Sequence, residues 1–160
     1  MSGLKSKRKG YAAERGLVKE LIAKGYVARR QPCSGSIRGF EGDVVVEVPG
    51  RPKAVIIEVK CRRDEFKRIY AMVEGPVDQC GGVIFNYEGI GILVTKEFSK
   101  CGFTATEFVP PVANPVSKEA IASLKKLHSL QKHLKSNNVM SDLLVIKIDY
   151  KPYLYIRYLV

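Results

Sequence analysis

The chain has 160 residues and a mass of 17.8 kDa, room for one domain with an elaboration but not for two full domains. Its 46% hydrophobic and 27% charged residues match an ordinary globular composition and exclude a wholly disordered chain. Twenty-seven Lys and Arg against sixteen Asp and Glu leave a net charge of +11, which points to a polyanionic partner, above all nucleic acid. No apolar run reaches the length of a transmembrane helix, and the basic opening MSGLKSKRKGYAAER lacks the apolar stretch of a secretory signal. Cys33, Cys61, Cys80 and Cys101 form no C-x-x-C pair and read as free intracellular thiols; His128 and His133, five apart, read as helix-surface residues rather than metal ligands.

In chain order, the spacing predicts a helix from about Gly10 to Lys24, with Leu17, Val18, Leu21 and Ile22 as its apolar stripe and Gly25 as its stop. A short strand over 26–30 and a Gly- and Ser-rich loop over 32–42 follow. Asp43–Val48 and Ala54–Cys61 read as strands joined by the turn Pro49-Gly50-Arg51-Pro52, hence a hairpin. A short helix over 64–74 is expected next, then strands over 82–87 and 91–96 around Glu88-Gly89. The stretch 108–115, with three prolines, is a connection. Ser117 opens a basic helix to about Lys135, with Lys125, Lys126, Lys132 and Lys135 beside an apolar face of Ala120, Leu124, Leu127 and Leu134. A terminal hairpin over 143–150 and 153–160 turns at Lys151-Pro152. The sum is a mixed α/β domain.

Three carboxylates stand where a purely structural role is awkward. Glu14 falls in line with Val18, Leu21 and Ile22, near the centre of the helix's apolar stripe. It must either snorkel or pair with an arginine, or else point at a cavity that holds a cation. Glu58 and Lys60 lie two apart on an otherwise apolar strand, so they share one face, roughly 7 Å apart. That face is either the solvated side of an edge strand or part of a site. Asp43 begins the neighbouring strand, where hairpin pairing would bring it near Glu58; Glu47 lies on the same face as a competing candidate. Two carboxylates from adjacent strands suit Mg²⁺, which prefers hard oxygen ligands. Such an ion acidifies a bound water and neutralises charge on a phosphoryl oxygen. A lysine beside it can orient the water, stabilise the pentavalent state, or accept a proton.

The run Lys9-Gly10-x3-Glu14-Arg15, then Gly25-Tyr26-x3-Arg30-x-Pro32-x-Ser34-Gly35-Ser36, then Gly42-Asp43 and Ile57-Glu58-Val59-Lys60, resembles the archaeal Holliday junction resolvases of the PD-(D/E)xK nuclease superfamily. The likeness is good over about residues 7–70 and weak through the basic helix and the last hairpin; residues 71–115 have no counterpart and read as a β-rich insertion in a single 1–160 nuclease domain. The resemblance implies a restriction-endonuclease-like mixed β-sheet flanked by helices. It also implies a homodimer that cuts symmetric strands of branched, four-way DNA with Mg²⁺, for which Mn²⁺ can substitute. Residue by residue, it implies that Glu14, Ser34, Asp43, Glu58 and Lys60 are catalytic, and that Glu14, Asp43, Glu58 and the carbonyl of Val59 hold the metal. Arg15 and Arg30 match basic residues near the site. Gly42 stands where the family usually has proline.

Residues 1–30 carry nine Lys or Arg and two Glu, a net +7, and Lys5, Lys7, Arg8 and Lys9 are expected to form a flexible arm. Arg38, Arg62, Arg63, Lys67 and Arg68 would extend the basic rim. Such charges gain affinity by counterion release and carry no sequence information, which suits a substrate recognised by shape. Tyr153, Tyr155 and Tyr158 read as strand packing or dimer contacts rather than a base-stacking ladder. The leading expectation is therefore a Mg²⁺-dependent, structure-selective endonuclease. The alternatives are a related nuclease acting on flap, nicked or duplex DNA, and a non-catalytic basic nucleic-acid-binding protein whose carboxylates are structural.

Overall fold

The computed structural model describes residues 2–31, 42–61, 69–70, 82–87, 90–101, 122, 125, 129, 142–148 and 150–159. One long helix, α1 (Ser2–Ala23), precedes seven strands: β1 (Val27–Arg30), β2 (Val44–Glu47), β3 (Val55–Lys60), β4 (Gly82–Tyr87), β5 (Ile90–Thr95), β6 (Leu143–Ile146) and β7 (Leu154–Leu159). A single 3₁₀ turn, Phe98–Lys100, follows β5. Ile69 and Tyr70 are helical, as are Ala122, Lys125 and Ser129 within the expected basic helix.

Gly25 ends α1 as expected. At φ +97° it lets Tyr26 N–H reach the Leu21 carbonyl and Gly25 N–H reach the Ile22 carbonyl, both at 3.0 Å, the two bonds of a Schellman cap. The start of α1 differs from expectation. The helix already runs from Ser2, so Lys5, Lys7, Arg8 and Lys9 lie on a helix and not on a flexible arm. The segment is made of helix-tolerant Leu, Lys, Arg and Ser, and Gly10 is accommodated within it.

The strands form one mixed sheet in the order β1-β2-β3-β6-β7-β5-β4. β3 and β6 pair in parallel, and every other neighbouring pair is antiparallel. Both expected hairpins, β2–β3 and β6–β7, are present. β4 and β5, the β-rich part of residues 71–115, extend this same sheet beyond β7. The start of β6 is tied to β3 by a reciprocal pair of bonds. Asp142 N–H donates to the Ile56 carbonyl, and Ile56 N–H donates to Asp142 Oδ2.

One face of the sheet, with Val44, Val46, Val55, Ile57, Leu143, Val145 and Tyr155, is covered by Ala13, Leu17 and Leu21 of α1. The other face is buried as well at Val45, Leu144, Ile146, Leu154 and Ile156, which explains the unbroken apolar run of β6. Two expectations change here. Ile22 is 54% exposed, and Ala13 takes its place on the stripe, because the 13–17–21 row faces the sheet and Ile22 lies about 100° beyond it. β3 is an interior strand, so the solvated-edge reading of Glu58 and Lys60 is excluded. Cys61 and Cys101 form no disulfide among the described residues. Among the described residues no helix is long and apolar enough to cross a membrane. The arrangement is α/β and restriction-endonuclease-like, as expected.

Candidate active site

Asp43 stands just before β2 and is held on three sides. Its N–H donates to the Ile57 carbonyl and its carbonyl accepts from Gln31 N–H, both at 2.9 Å. Its Oδ2 accepts from the Val59 N–H at 2.8 Å. The side chain thus satisfies a backbone donor of β3 and lies 6% exposed. The approach is close because residue 42 is glycine. At φ +78°, a Cβ there would fall 2.5 Å from Ile56 Cγ2.

Val44 pairs with Ile57, which sets Asp43, just before Val44, beside Glu58, just after Ile57. The two carboxyls lie within hydrogen-bonding reach of one another. Burial raises both above the usual carboxylate range. Glu58, further repelled by Asp43, is pushed up to about 7, while Val59 N–H, Lys60 and Arg30 oppose the rise at Asp43. Lys60 Nζ stands 3.5 Å from Glu58 Oε1. Ionising both carboxyls would put an excess of negative charge out of water, so burial and mutual repulsion disfavour their joint ionisation and a nearby cation would favour it. Glu47 is separated from it. It lies at the far end of β2, exposed, 3.5 Å from Arg29 in a solvent-facing ion pair.

Glu14 is 6% exposed on α1 and pairs with Arg30 of β1, Nε to Oε2, at 3.0 Å. The arginine alternative for Glu14 is therefore realised, and its burial by itself does not demand a cation. Burial and the charge of Asp43 still raise its pKa, against the pull of Arg30 and Arg15, so all four groups share one electrostatic neighbourhood. The Arg30 guanidinium also lies over the Tyr11 ring, 4.9 Å from its centroid. The sequence reading missed Tyr11, although its place one turn before Glu14 was a usable signal. It missed Gln31 as well, whose contribution is a backbone N–H that no side-chain pattern reveals.

The structure thus brings together Asp43, Glu58 and Lys60, with Glu14 and Arg30 beside them. Among the described residues no group of three His, Cys, Asp or Glu side chains converges as a ligand cluster. Two hard-oxygen donors on buried, mutually repelling carboxyls fit a divalent cation of the Mg²⁺ type. Lys9 and Arg15 are exposed on α1. Ser34, Arg38, Arg62, Arg63, Lys67 and Arg68 lie outside the described residues.

A family model described as archaeal Holliday junction resolvase matches residues 5–76, somewhat less than half of the chain. The matched stretch includes α1 from residue 5 onward, β1, β2 and β3, with Glu14, Asp43, Glu58 and Lys60. No solved structure matches the chain.

Proposed function

We propose that this chain, whose residues 5–76 match the family model described as archaeal Holliday junction resolvase, is a Mg²⁺-dependent, structure-selective DNA endonuclease that resolves four-way junctions by symmetric phosphodiester hydrolysis. The observation that carries the reading is the buried Asp43–Glu58 carboxyl pair with Lys60 3.5 Å from Glu58, in a chain of net charge +11. Asp43, Glu58 and the Val59 carbonyl would hold the cation, with Glu14 assisting, and Mn²⁺ could substitute. When bound, the cation acidifies a water and offsets charge on a phosphoryl oxygen.

The remaining steps belong to the protein. Lys60 orients the attacking water and stabilises negative charge as the pentavalent phosphorus forms. Ser34 approaches the scissile phosphate, with Arg15 and Arg30 as nearby counter-charges. In-line displacement leaves a 5′-phosphate and a 3′-hydroxyl. Lys9, Arg38, Arg62 and Arg63 hold the DNA backbone, and a homodimer places two sites for paired nicks on branched DNA inside the cell. The whole chain acts as one nuclease domain, with residues 71–115 as its elaboration.

The extension of the sheet by β4 and β5, beyond the matched segment, favours one alternative: a related nuclease whose substrate is a flap, nick or duplex. End-labelled cleavage of a synthetic four-way junction, beside matched flap and linear duplex, decides between them. Mg²⁺, EDTA and Lys60→Ala complete the test. Paired symmetric nicks on the junction, lost in EDTA and in the variant, are expected. Equal cleavage of flap or duplex moves the substrate to the alternative. Tight binding without nicks at any Mg²⁺ concentration overturns the enzyme.

A further inference from the structure

Glu14 sits on a helix whose height above the sheet is set from the other end of the chain. The Tyr153 hydroxyl, just before β7, donates to the Ala13 carbonyl at 2.7 Å in a buried contact. Two residues on, the Tyr155 hydroxyl donates to Glu20 Oε2 at 2.8 Å. The two tyrosines share one face, roughly 7 Å apart. Their partners lie two turns apart on α1, about 10 Å along the axis. Only the first contact falls at the turn that carries Glu14, since Ala13 and Glu14 share a peptide plane.

Gly16 makes that contact possible. A Cβ at position 16 would lie 2.5 Å from the Tyr153 hydroxyl oxygen. A glycine inside a helix costs about 0.5–1 kcal/mol relative to alanine, so α1 gives up intrinsic stability where the hydroxyl enters. The ring has a second hold in Lys147, whose Nζ is 5.1 Å from its centroid. Burial pushes the Tyr153 hydroxyl up to about 12, so it remains a protonated donor at neutral pH.

We propose that Tyr153 is a positioning residue for Glu14: its hydroxyl, seated in the notch left by Gly16, fixes the turn of α1 that presents this carboxylate to Arg30 and Asp43. The role in cleavage rests on the nuclease reading; the role in holding Glu14 does not.

The test compares Tyr153→Phe with Tyr155→Phe in the full chain. Both remove one buried hydroxyl that bonds to α1, but at different turns. The first readout is solvent exchange of the Arg30 Nε–H, followed by NMR, because that proton bonds Glu14. Tyr153→Phe is expected to speed this exchange by about fivefold, and Tyr155→Phe to leave it unchanged. The second readout is single-turnover nicking of the junction below either melting temperature. Tyr153→Phe is expected to slow it about tenfold with junction affinity within about twofold, and to add nothing in a Glu14→Gln background. Tyr155→Phe is expected to lower the melting temperature alone. Equal behaviour of the two variants, or full additivity of Tyr153→Phe with Glu14→Gln, overturns the proposal. If the wild type nicks no DNA, the nuclease reading fails, and the exchange comparison alone decides whether Tyr153 holds Glu14.

Discussion

The fold moves the titration of Glu58 far from its ordinary value. In the unfolded chain it titrates near 4.5, and in the fold it is pushed up to about 7 by burial and by Asp43. The folded state therefore binds the extra proton between those values, and its contribution to stability is complete below the lower value and is lost as pH rises through the upper one. Without metal, Glu58→Gln is expected to stabilise the protein at pH 8 by on the order of 2 kcal/mol and to change little at pH 4, as thermal melts at the two pH values will show. Mg²⁺ should raise the melting temperature of the wild type at pH 8 and not that of the variant. Asp43→Asn and Glu58→Gln should each reduce junction cleavage by at least about a thousandfold while binding survives, measured by nicking and gel shift on the same substrate. Gly42 is equally specific. Proline cannot reach φ +78°, and alanine there meets Ile56 Cγ2 at 2.5 Å, so Gly42→Ala should cost about 2–3 kcal/mol in denaturant unfolding.

At the scale of elements, α1 and β3 carry the site between them. β3 lies between β2 and β6, so a face that reads as half-polar in sequence is interior, and Glu58 and Lys60 are the polar residues placed on it. In α1 the stripe Ala13, Leu17 and Leu21 docks the helix, while Gly16 admits Tyr153. Gly16→Ala should therefore destabilise the protein by about 1–2 kcal/mol despite alanine's better helix propensity. Adding Tyr153→Phe to that background should recover part of the loss, since it deletes the clashing oxygen; a double-mutant cycle of unfolding free energies checks both signs.

For the whole molecule, the charge excess and the placement of α1 bear on the substrate. Net charge is +11, and the first thirty residues contribute +7; six of their nine Lys and Arg lie on α1, which starts at Ser2. Lys5, Lys7 and Arg8 belong to this basic segment and are expected to neutralise DNA phosphates. Replacing all three with alanine should weaken binding to junction and duplex alike. It should also reduce the slope of log affinity against log salt by about 0.9 for each phosphate no longer neutralised. A salt titration of both DNAs by fluorescence anisotropy measures this; an unchanged slope would take these residues off the DNA.

Much of this was legible in the chain itself. Short apolar, β-branched runs marked the strands, Gly25 marked the end of α1, and the prolines and glycine of 49–52 marked the β2–β3 turn, because these signals are local in the backbone. The D-x14-E-x-K spacing brought Asp43 near Glu58 for the same reason, since a tight hairpin converts sequence distance into register. What the sequence could not decide needed partners far along the chain. Glu14 and Glu47 are both helix- or strand-borne carboxylates, yet one is buried on Arg30 and the other exposed on Arg29, a difference set by how α1 and β1 lie on the sheet. The interior place of β3 depends on β6, some eighty residues on, and the notch at Gly16 has meaning only once Tyr153 arrives from the last hairpin. Periodicity and turn chemistry act within a few residues. Burial, charge pairing and steric fit act through space, and the tertiary structure alone decides them.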